Sequence, residues 1–362
     1  MLLNILFVYL FRNRFRIIYG RVNVSTIKDV AKAANVSPAT VSKALNNRSD
    51  VSEKTKKKIL EIAKALNFTP RAFARGLKNK RTENIGVILC RESNPLSGNP
   101  FYSRVIEGIE AELSINNYNL VLHIMVDYLK KEELPKMLKE RNVDGILLVG
   151  MLNKEFIEEV HKINIPAVIV DPNLIVKNFD QVLIDNEHGA FLATQYLLNN
   201  GHRRIGFISG DITRSSFYQR FVGYKKALDY NNIPLDESLI NTGGLEEGYQ
   251  QTKDLLELQN PPTAIFSSND TNAIIGYKAA RDLGYKIPDD ISFIGFDDID
   301  LTKFVTPTLS TIRVYKTELG SIAVRNLLKI INKEKDVTHT NVLPIKLIER
   351  DSVTDITSLS KK

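Results

Sequence analysis

Residues 26–66, TIKDVAKAANVSPATVSKALNNRSDVSEKTKKKILEIAKAL, contain three helical patterns in close succession. Thr26 can cap the first helix and Ser37 the second, in which Pro38 takes the first position, where its missing N–H costs nothing. Asn35 and the valine after it leave room for only a tight turn between these two helices. This spacing matches a helix-turn-helix motif, whose second helix enters the DNA major groove.

A third helix is expected from Ser52 through Leu66, after which the helical pattern stops at a proline. Each of the three patterns has an apolar stripe that would face a shared core. The core predicted from these stripes contains Ile27, Val30, Ala31, Ala34, Val41, Ala44, Ile59, Ile62, Ala63 and Leu66. Pattern alone leaves open a three-helix bundle that has no role with nucleic acid.

The charge of the chain is unevenly distributed. From Ser25 to Arg81 there are fourteen Lys or Arg against four Asp or Glu, a net charge of +10, whereas residues 82–362 carry 31 basic and 38 acidic side chains, a net charge of −7. We call residues 25–81 the head and residues 82–362 the body. A basic head suggests binding to a polyanion, because cations that contact phosphates release counterions. Charge alone leaves a solvated basic face equally open.

Residues 25–82 resemble, almost residue for residue, the headpiece of the lactose/galactose repressor (LacI/GalR) family of bacterial transcriptional regulators. The signature V-S-x-x-T-V-S-[RK]-x-L-N is present from Val36 to Asn46, and a proline followed by A-R-x-L lies between Asn67 and Leu77. The resemblance implies that the chain binds operator DNA. The DNA-contacting residues that it implies are Thr26, Ser37, Pro38, Ala39, Thr40, Ser42, Lys43, Asn46, Arg71, Arg75 and Leu77.

The resemblance also implies a hinge helix from Pro70 to Asn79 that forms only on operator DNA, with Leu77 wedged into the central minor-groove step. An apolar wedge of this kind unstacks and bends the duplex, and Gly76 disfavours a stable helix in isolation. In the major groove, Lys43 can donate to guanine O6 and N7, and Ala39 can contact a thymine methyl group. Many relatives have Arg in place of Lys43, so we expect looser discrimination of guanine.

The body alternates between apolar, strand-like runs and helical patterns, which indicates an α/β fold with parallel sheets buried on both faces. The expected strands are Ile85 to Cys90, Asn119 to Val126, Gly145 to Gly150, Ala167 to Asp171, Arg204 to Gly210, Ala264 to Asp270 and Ile291 to Asp298. The pattern permits one large sheet or two smaller ones. The resemblance implies two Rossmann-like subdomains of the periplasmic-binding-protein type, which we place at residues 82–183 with 312–342 and 184–311 with 343–354.

Ligands of such sheets bind in the cleft at the carboxyl ends of the strands. Polar and aromatic side chains at those ends suit a polyol, since carboxylates, amides and guanidinium groups bind hydroxyls. The expected effector-binding residues are Phe101, Asp171, Arg214, Ser216, Arg220, Asn269 and Asp297. The aromatic residues Phe101, Tyr102, Phe217 and Phe296 are available to stack on a sugar. Any single acid or arginine could instead form a salt bridge or cap a helix, and Asp297 with Asp298 and Asp300 could form a metal or acid/base site.

The expected domain organisation follows from these segments. Residues 25–69 form the helix-turn-helix domain, 70–81 the hinge helix or linker, 82–354 the effector-binding and dimerisation domain, and 355–362 a tail. Residues 1–24 begin with a short apolar run followed by four arginines, the reverse of a secretion signal. We expect that this leader is not translated and that synthesis starts at Val24. One cysteine, Cys90, and the lack of a long apolar run point to a cytoplasmic protein that does not enter the membrane.

Motifs for catalysis are missing: the five histidines lack metal-ligand spacing, and neither a phosphate-binding loop nor a nucleophile elbow is present. We expect no enzyme, no cofactor and no metal. The sequence predicts a transcriptional repressor that binds a near-palindromic operator as a homodimer, associates with the nucleoid when bound, and is controlled by a small effector, a sugar. One alternative is a carbon-catabolite-type regulator whose co-effector is a phosphorylated carrier protein. Another is a sugar-binding or transport protein, which would not need residues 25–81.

Overall fold

The computed structural model describes residues 25–45, 48–66, 68, 81–91, 96–126, 134–172, 174, 176–244, 247–334 and 338–357. Contacts divide the chain into two units, Met1–Thr82 and Glu83–Lys362, which correspond to the head and the body. The expected leader, the hinge helix with Arg71, Arg75 and Leu77, Asn46 in the head, and the last residues of the tail lie outside the described residues.

The head contains three helices: α1 (Ile27–Ala34), α2 (Pro38–Leu45) and α3 (Glu53–Ala65). Thr26 and Asp29 form a reciprocal capping box at the start of α1, which ends at Asn35 in the left-handed conformation. The Ser37 hydroxyl accepts a hydrogen bond from the amide of the third residue of α2 at 3.0 Å. The predicted helices are therefore confirmed, because local caps and periodicity decide where they begin and end.

The three helices of the head enclose a small core of buried apolar side chains. Most predicted members are buried, whereas Ile27, Ile62 and Leu66 are half-buried at the edge of the core. Two polar contacts close the bundle: the Ser25 hydroxyl donates to the Leu66 carbonyl at 2.6 Å, and Lys58 donates to the Ala34 carbonyl at 3.0 Å. The fully buried side chains are Val30, Ala31, Ala34, Val41, Ala44, Val51, Ile59 and Ala63.

The strands of the body form two six-stranded sheets, which confirms the arrangement of two Rossmann-like subdomains. The strands are β1 (Asn84–Arg91), β2 (Asn119–Val126), β3 (Gly145–Gly150), β4 (Ala167–Val170), β5 (Asp180–Ile184), β6 (Ile205–Ser209), β7 (Ile240–Thr242), β8 (Ala264–Ser267), β9 (Ser292–Asp297), β10 (Ser310–Val314), β11 (Thr340–Leu343) and β12 (Ile345–Ile348). The sheet β11-β5-β4-β3-β1-β2 forms the first subdomain and the sheet β12-β10-β9-β8-β6-β7 the second. Every strand pair is parallel except β10 with β12.

Helices cover both faces of the two sheets. They are α4 (Pro100–Ile115), α5 (Lys136–Lys139), α6 (Lys154–Lys162), α7 (Asn186–Asn199), α8 (Ser215–Tyr230), α9 (Gly248–Leu256), α10 (Asp270–Asp282) and α11 (Lys316–Ile331), with 3-10 turns at Leu96–Gly98, Glu237–Leu239 and Asp300–Lys303. Strands β3, β4, β6, β8 and β9 are buried along their whole length, as expected for strands covered on both faces. Within the described ranges, no helix has the length and apolar character needed to cross a membrane.

The chain crosses between the subdomains three times, and each crossing lies slightly later than the sequence placed it. Residues 310–313 pair with β9 and Val314 pairs with Ile345 of β12, so the crossing follows Val314 rather than residue 311. Leu343 pairs with Ile184 in the first sheet, so both residues belong to the first subdomain. The crossings thus lie one to three residues after the approximate positions expected at 183, 311 and 342, because strand pairing rather than hydrophobic pattern decides where each strand ends.

Each subdomain contains a pair of helices that approach closely at a glycine. A Cβ atom on Gly108 of α4 would lie 2.1 Å from the Thr317 carbonyl oxygen of α11, and one on Gly320 would lie 2.3 Å from the Val105 carbonyl oxygen. In the second subdomain, a Cβ on Gly223 of α8 would lie 2.1 Å from a carbonyl oxygen of α7. These backbones touch, so no larger residue fits without separating the helices.

We predict that Gly108→Ala lowers the free energy of unfolding by about 1–3 kcal/mol, because the added methyl group meets backbone that cannot move independently. Ser114→Ala, on the exposed side of the same helix, is the matched control and is expected to change stability little. Urea denaturation followed by circular dichroism measures both variants. Equal stability of the two variants would contradict the close packing of α4 on α11.

Candidate functional site

The seven predicted effector-binding residues all line one cavity of the cleft, which has a volume of about 150 Å³. Phe101 lies in α4 and Asp171 follows β4, so both belong to the first subdomain. The other five belong to the second subdomain: Asp297 ends β9, and the remaining four lie in the segments after β6 and β8, at the carboxyl ends where such folds bind ligands. Further residues that line the cavity are Gly98, Asn99, Pro100, Tyr102, Gly150, Met151, Phe217, Thr271, Asn272 and Ile299.

Arg220 is the buried cation of the cleft, with 4% of its surface exposed. Its Nε donates to Asn186 Oδ1 at 2.9 Å, and its Nη1 donates to the Ser268 carbonyl oxygen at 2.5 Å. Its Nη2 lies 3.3 Å from Asp297 Oδ1, and its Cζ stacks 3.8 Å from the centroid of the Phe296 ring. The guanidinium is therefore held by protein groups on its edges and on one face.

Phe296 was expected among the aromatic residues that can stack on a sugar, and this expectation is wrong. Its ring is fully buried beneath Arg220 and does not line the cavity. Phe101, Tyr102 and Phe217 do line it, and the rings of Phe101 and Tyr102 meet edge to face at 5.1 Å. Phe296 and Asp297 are consecutive residues of β9, so their side chains point to opposite faces of the sheet, and that of Phe296 points into the interior.

Asp171 and Asp297 bring one carboxyl group from each subdomain to the cavity. Asp171 Oδ2 accepts a hydrogen bond from the Tyr102 hydroxyl at 3.3 Å. Burial raises the pKa of the Asp171 carboxyl to about 6, since the nearby Arg220 charge only partly offsets the loss of hydration. Burial likewise raises the pKa of Asp297, against the opposing charges of Arg220 and Lys316.

Both aspartates adopt backbone conformations that are rare for residues other than glycine. The φ angle is 48° at Asp171, 111° at Asp297 and 52° at Asp298. Such conformations cost about 1–3 kcal/mol each and persist only where surrounding contacts hold them. In addition, the buried Asp297 Oδ1 forms an ion pair with Arg220 Nη2 at 3.3 Å. Backbone strain and a buried ion pair thus coincide at a residue that lines the cavity.

Asn269 and Arg214 are positioned by the helices that begin at the cleft. Asn269 caps α10, because its Oδ1 accepts a hydrogen bond from the Asn272 amide at 2.8 Å, and its amide nitrogen remains available to the cavity. The Arg214 guanidinium lies 5.7 Å from the centroid of the Phe217 ring. Asn269 therefore caps α10 through its oxygen, while its nitrogen can bind a ligand.

Asp298 and Asp300 have separate structural partners. Although burial opposes ionisation, the Arg350 and Arg313 guanidinium groups, each 2.6 Å away, hold the pKa of Asp298 below its ordinary value. Asp300 pairs with Arg104 across the two subdomains. Among the described residues, no group of three acidic, histidine or cysteine side chains could hold a metal ion. These contacts account for both acids without a metal or acid/base role.

Two residues that the sequence did not single out support the site. Asn186, at the start of α7, binds Arg220, and Lys316, at the start of α11, donates to the carbonyl of Asp297. Both follow strands, β5 and β10, that the hydrophobic pattern missed. Their spacing from the residues they contact is long, so no local signal in the sequence could have identified them.

The head presents a separate candidate surface on α2. Pro38, Ala39 and Lys43 are exposed, and Thr40 and Ser42 are half-buried. The Lys43 ammonium lies 2.6 Å from the Asp50 carboxylate, and both side chains are about half exposed. Thr26 and Ser37 are exposed, and their hydroxyl groups cap α1 and α2. Exposed ion pairs of this kind contribute little stability, so Lys43 can exchange Asp50 for another partner at small cost.

We predict that Asp171→Asn raises the melting temperature by roughly 2–4 °C above about pH 6, where the buried carboxylate is ionised at a cost. Below about pH 4 the carboxyl is neutral in both the folded and the unfolded chain, so the difference disappears. Thermal unfolding between these pH values checks the trend, with Asp289→Asn on the surface as the control. A difference that is constant with pH would contradict the desolvation of Asp171.

Comparison with known proteins identifies similarities in both units. A family model described as "Bacterial regulatory proteins, lacI family" matches residues 26–71, and one described as "Periplasmic binding protein-like domain" matches residues 194–353. The chain is 36% identical over 339 residues to the HTH-type transcriptional repressor PurR of Vibrio vulnificus (strain CMCP6), which covers 92% of this chain and 100% of that protein. It is 34% identical over 333 residues to the ribose operon repressor of Haemophilus influenzae, with 91% and 99% covered.

Among solved structures, the chain is similar to the Lac repressor dimer bound to operator and the anti-inducer ONPF. The TM-score is 0.78 at 25% sequence identity, and the match covers 92% of this chain and 100% of that chain. The similarity therefore extends over the head and the body together. These relatives are repressors rather than enzymes.

Proposed function

Since the chain belongs to the lacI family of bacterial regulatory proteins, we propose that it is a repressor that binds a near-palindromic operator as a homodimer and is switched by a small molecule. The observation that carries this proposal is the presence, in one chain, of a helix-turn-helix with an exposed second helix and a cleft lined by seven convergent side chains. The protein would act in the cytoplasm and associate with the nucleoid when bound to DNA.

The proposed DNA contacts divide into two kinds. Pro38, Ala39 and Lys43 face away from the core of the head, where they can reach base edges in the major groove. The other residues proposed from the family resemblance would contact phosphates or, for Leu77, the minor groove. In this organisation, residues 25–69 bind DNA, 70–81 form the hinge, and 82–354 bind effector and dimerise.

We propose that the effector is a neutral polyol with a single ring. Asp171, Asp297 and Ser216 can accept hydrogen bonds from hydroxyls, and the Asn269 amide nitrogen can donate to them. Two carboxyls line the cavity, and the Arg220 guanidinium is already bound by three protein acceptors, which leaves Arg214 as the other guanidinium of the described lining. We infer that this lining favours hydroxyl groups over an anionic group. A cavity near 150 Å³ has room for one six-membered ring.

The effector would act by shifting a population of conformations. The cleft is formed by both subdomains, so a ligand that contacts Asp171 on one side and Asp297 on the other favours the closed arrangement. The head binds as a dimer only if two hinges are held at the right spacing, and a small rotation of the subdomains changes that spacing. Effector and DNA are then coupled reciprocally through the free energy of closure.

We predict that Lys43→Ala relaxes discrimination at one symmetric position in each half-site, at a cost of about 1–3 kcal/mol for the preferred base. Lys54→Ala, an exposed lysine of α3, is the matched control and should weaken all sequences about equally. Binding-site selection with the full chain measures both effects. A wild-type selection without a near-palindromic consensus would contradict the proposed function, and an unchanged consensus for Lys43→Ala would contradict the role of that residue.

We predict that a neutral monosaccharide raises the melting temperature of the full chain, whereas sugar phosphates, uronates and disaccharides do not. Asp297→Asn should weaken that binding by about 10- to 100-fold, because a charged acceptor for hydroxyls is lost. DNA binding without sugar should be unchanged, and Asp289→Asn serves as the surface control. A scan by thermal shift, followed by calorimetry, checks both points. Selective binding of a sugar phosphate would contradict the proposed effector class.

A further inference from the structure

Lys316 is a buried lysine for which the proposed function has not yet accounted. It is 8% exposed and is the first residue of α11, immediately after the crossing from the second subdomain to the first. Its ammonium donates to three carbonyl oxygens: that of Asp297, that of Asp298 at 3.2 Å, and that of Val314 at 3.4 Å. No carboxylate of a described residue forms an ion pair with it, so these carbonyls replace its hydration.

Two of the three carbonyls that Lys316 binds, those of Asp297 and Asp298, belong to a strained turn of the cleft. Asp297 and Asp298 are consecutive residues with φ angles of 111° and 52°, which residues other than glycine rarely adopt. This conformation directs two successive carbonyl oxygens to one ammonium group. Without a donor there, both carbonyls would lose the ammonium group and the strained turn would lose a contact that holds it.

The other partners of Asp297 and Asp298 named here come from the second subdomain itself, whereas Asp300, two residues further on, pairs with Arg104 of the first subdomain. The Asp270 carboxylate accepts a hydrogen bond from the Ile299 amide at 2.9 Å, and the Asp298 amide donates to the Thr311 hydroxyl at 3.3 Å. Arg313 and Arg350 bind the Asp298 side chain, as described above. These contacts fix the turn within its own subdomain, so they remain unchanged if the two subdomains rotate.

Lys316 differs because its helix belongs to the first subdomain. Helix α11 packs against α4 at Gly108 and Gly320, where the two backbones touch. Helix α4 also carries Phe101 and Tyr102, which line the opposite wall of the cavity. A rotation of the first subdomain therefore moves the backbone of Lys316 relative to the turn that its ammonium group binds.

We propose that Lys316 is a positioning residue that holds Asp297 in its ligand-facing conformation and links that conformation to the angle between the subdomains. The positioning part depends only on contacts in this chain. The link to ligand affinity rests on the proposed function, in which Asp297 binds the effector. The two parts are therefore separable by experiment.

Hydrogen exchange of the full chain, without ligand or DNA, tests the positioning part. Lys316→Met keeps the apolar stem and removes the donors, Lys316→Arg keeps charge and donors, and Lys303→Met removes an exposed lysine close by in sequence. We expect amide exchange in residues 297–301 to rise at least about tenfold in Lys316→Met, and less in Lys316→Arg. Amide exchange in β6 and in α1 should stay at the wild-type rate in every variant. In Lys303→Met, amide exchange in residues 297–301 should also stay at the wild-type rate.

Two results would overturn the positioning role: wild-type exchange at residues 297–301 in Lys316→Met, or a uniform rise that includes β6, which marks a general loss of stability. If Lys316→Met does not fold, Lys316→Gln, which retains one donor group, is measured in the same way. The same outcomes then decide the proposal.

Calorimetry with D-ribose, D-glucose and D-galactose tests the link to the ligand. For whichever of these sugars binds the wild type, we expect about tenfold weaker binding to Lys316→Met and a smaller change for Lys316→Arg and Lys303→Met. The effect of that sugar on operator affinity should also shrink in Lys316→Met. If none of the three binds the wild type, the proposed effector class fails while the exchange result still decides the positioning role. Unchanged sugar affinity together with raised exchange would overturn the link alone.

Discussion

The buried guanidinium of Arg220 is the interaction on which the cleft depends. A charge removed from water costs several kcal/mol unless protein groups replace its hydration. Here Asn186, the Ser268 carbonyl and Asp297 supply those groups, and the Phe296 ring covers one face. These partners follow or belong to different strands, β5, β8 and β9, so one side chain ties together the ends of several strands. The arrangement gives the cavity a rigid floor.

The same cleft keeps some of its polar groups incompletely satisfied. The Asp297 carboxylate lies at 3.3 Å from Arg220, and the Asp171 carboxylate accepts a hydrogen bond of the same length from Tyr102, so both contacts are long. Both residues also have positive φ angles, so the fold maintains strain where the carboxylates are weakly bound. A ligand that supplies hydroxyl donors from both sides would remove this cost only when the subdomains are close together. In the proposed function, such directional contacts in the body would control a basic head whose affinity for DNA is expected to depend on salt.

The side chains that the sequence predicted for the site lie together in the structure, whereas the contacts that position them could not be predicted. All seven expected side chains line one cavity because parallel strands end at the same edge, so residues that follow apolar runs converge. Phe296 was expected to line the cavity, but its ring lies beneath Arg220. The reason is that successive side chains of β9 point to opposite faces of the sheet, so Phe296 and Asp297 cannot both face the cavity. Asn186 and Lys316 could not be predicted, since each acts through a contact with a distant segment. Local patterns carry no information about such contacts.

The sequence by itself determined the head and the class of the body. Caps, turns and helical periodicity are local, so the three helices of the head begin and end within a residue of the predicted bounds, and continuous apolar runs identified the buried parallel strands. Only the tertiary structure decided the division into two sheets, the short strands β5, β7, β10, β11 and β12, and the positive φ angles in the cleft. These features depend on pairing and packing between segments far apart in the chain, and the free energy of such contacts exists only once the segments have come together.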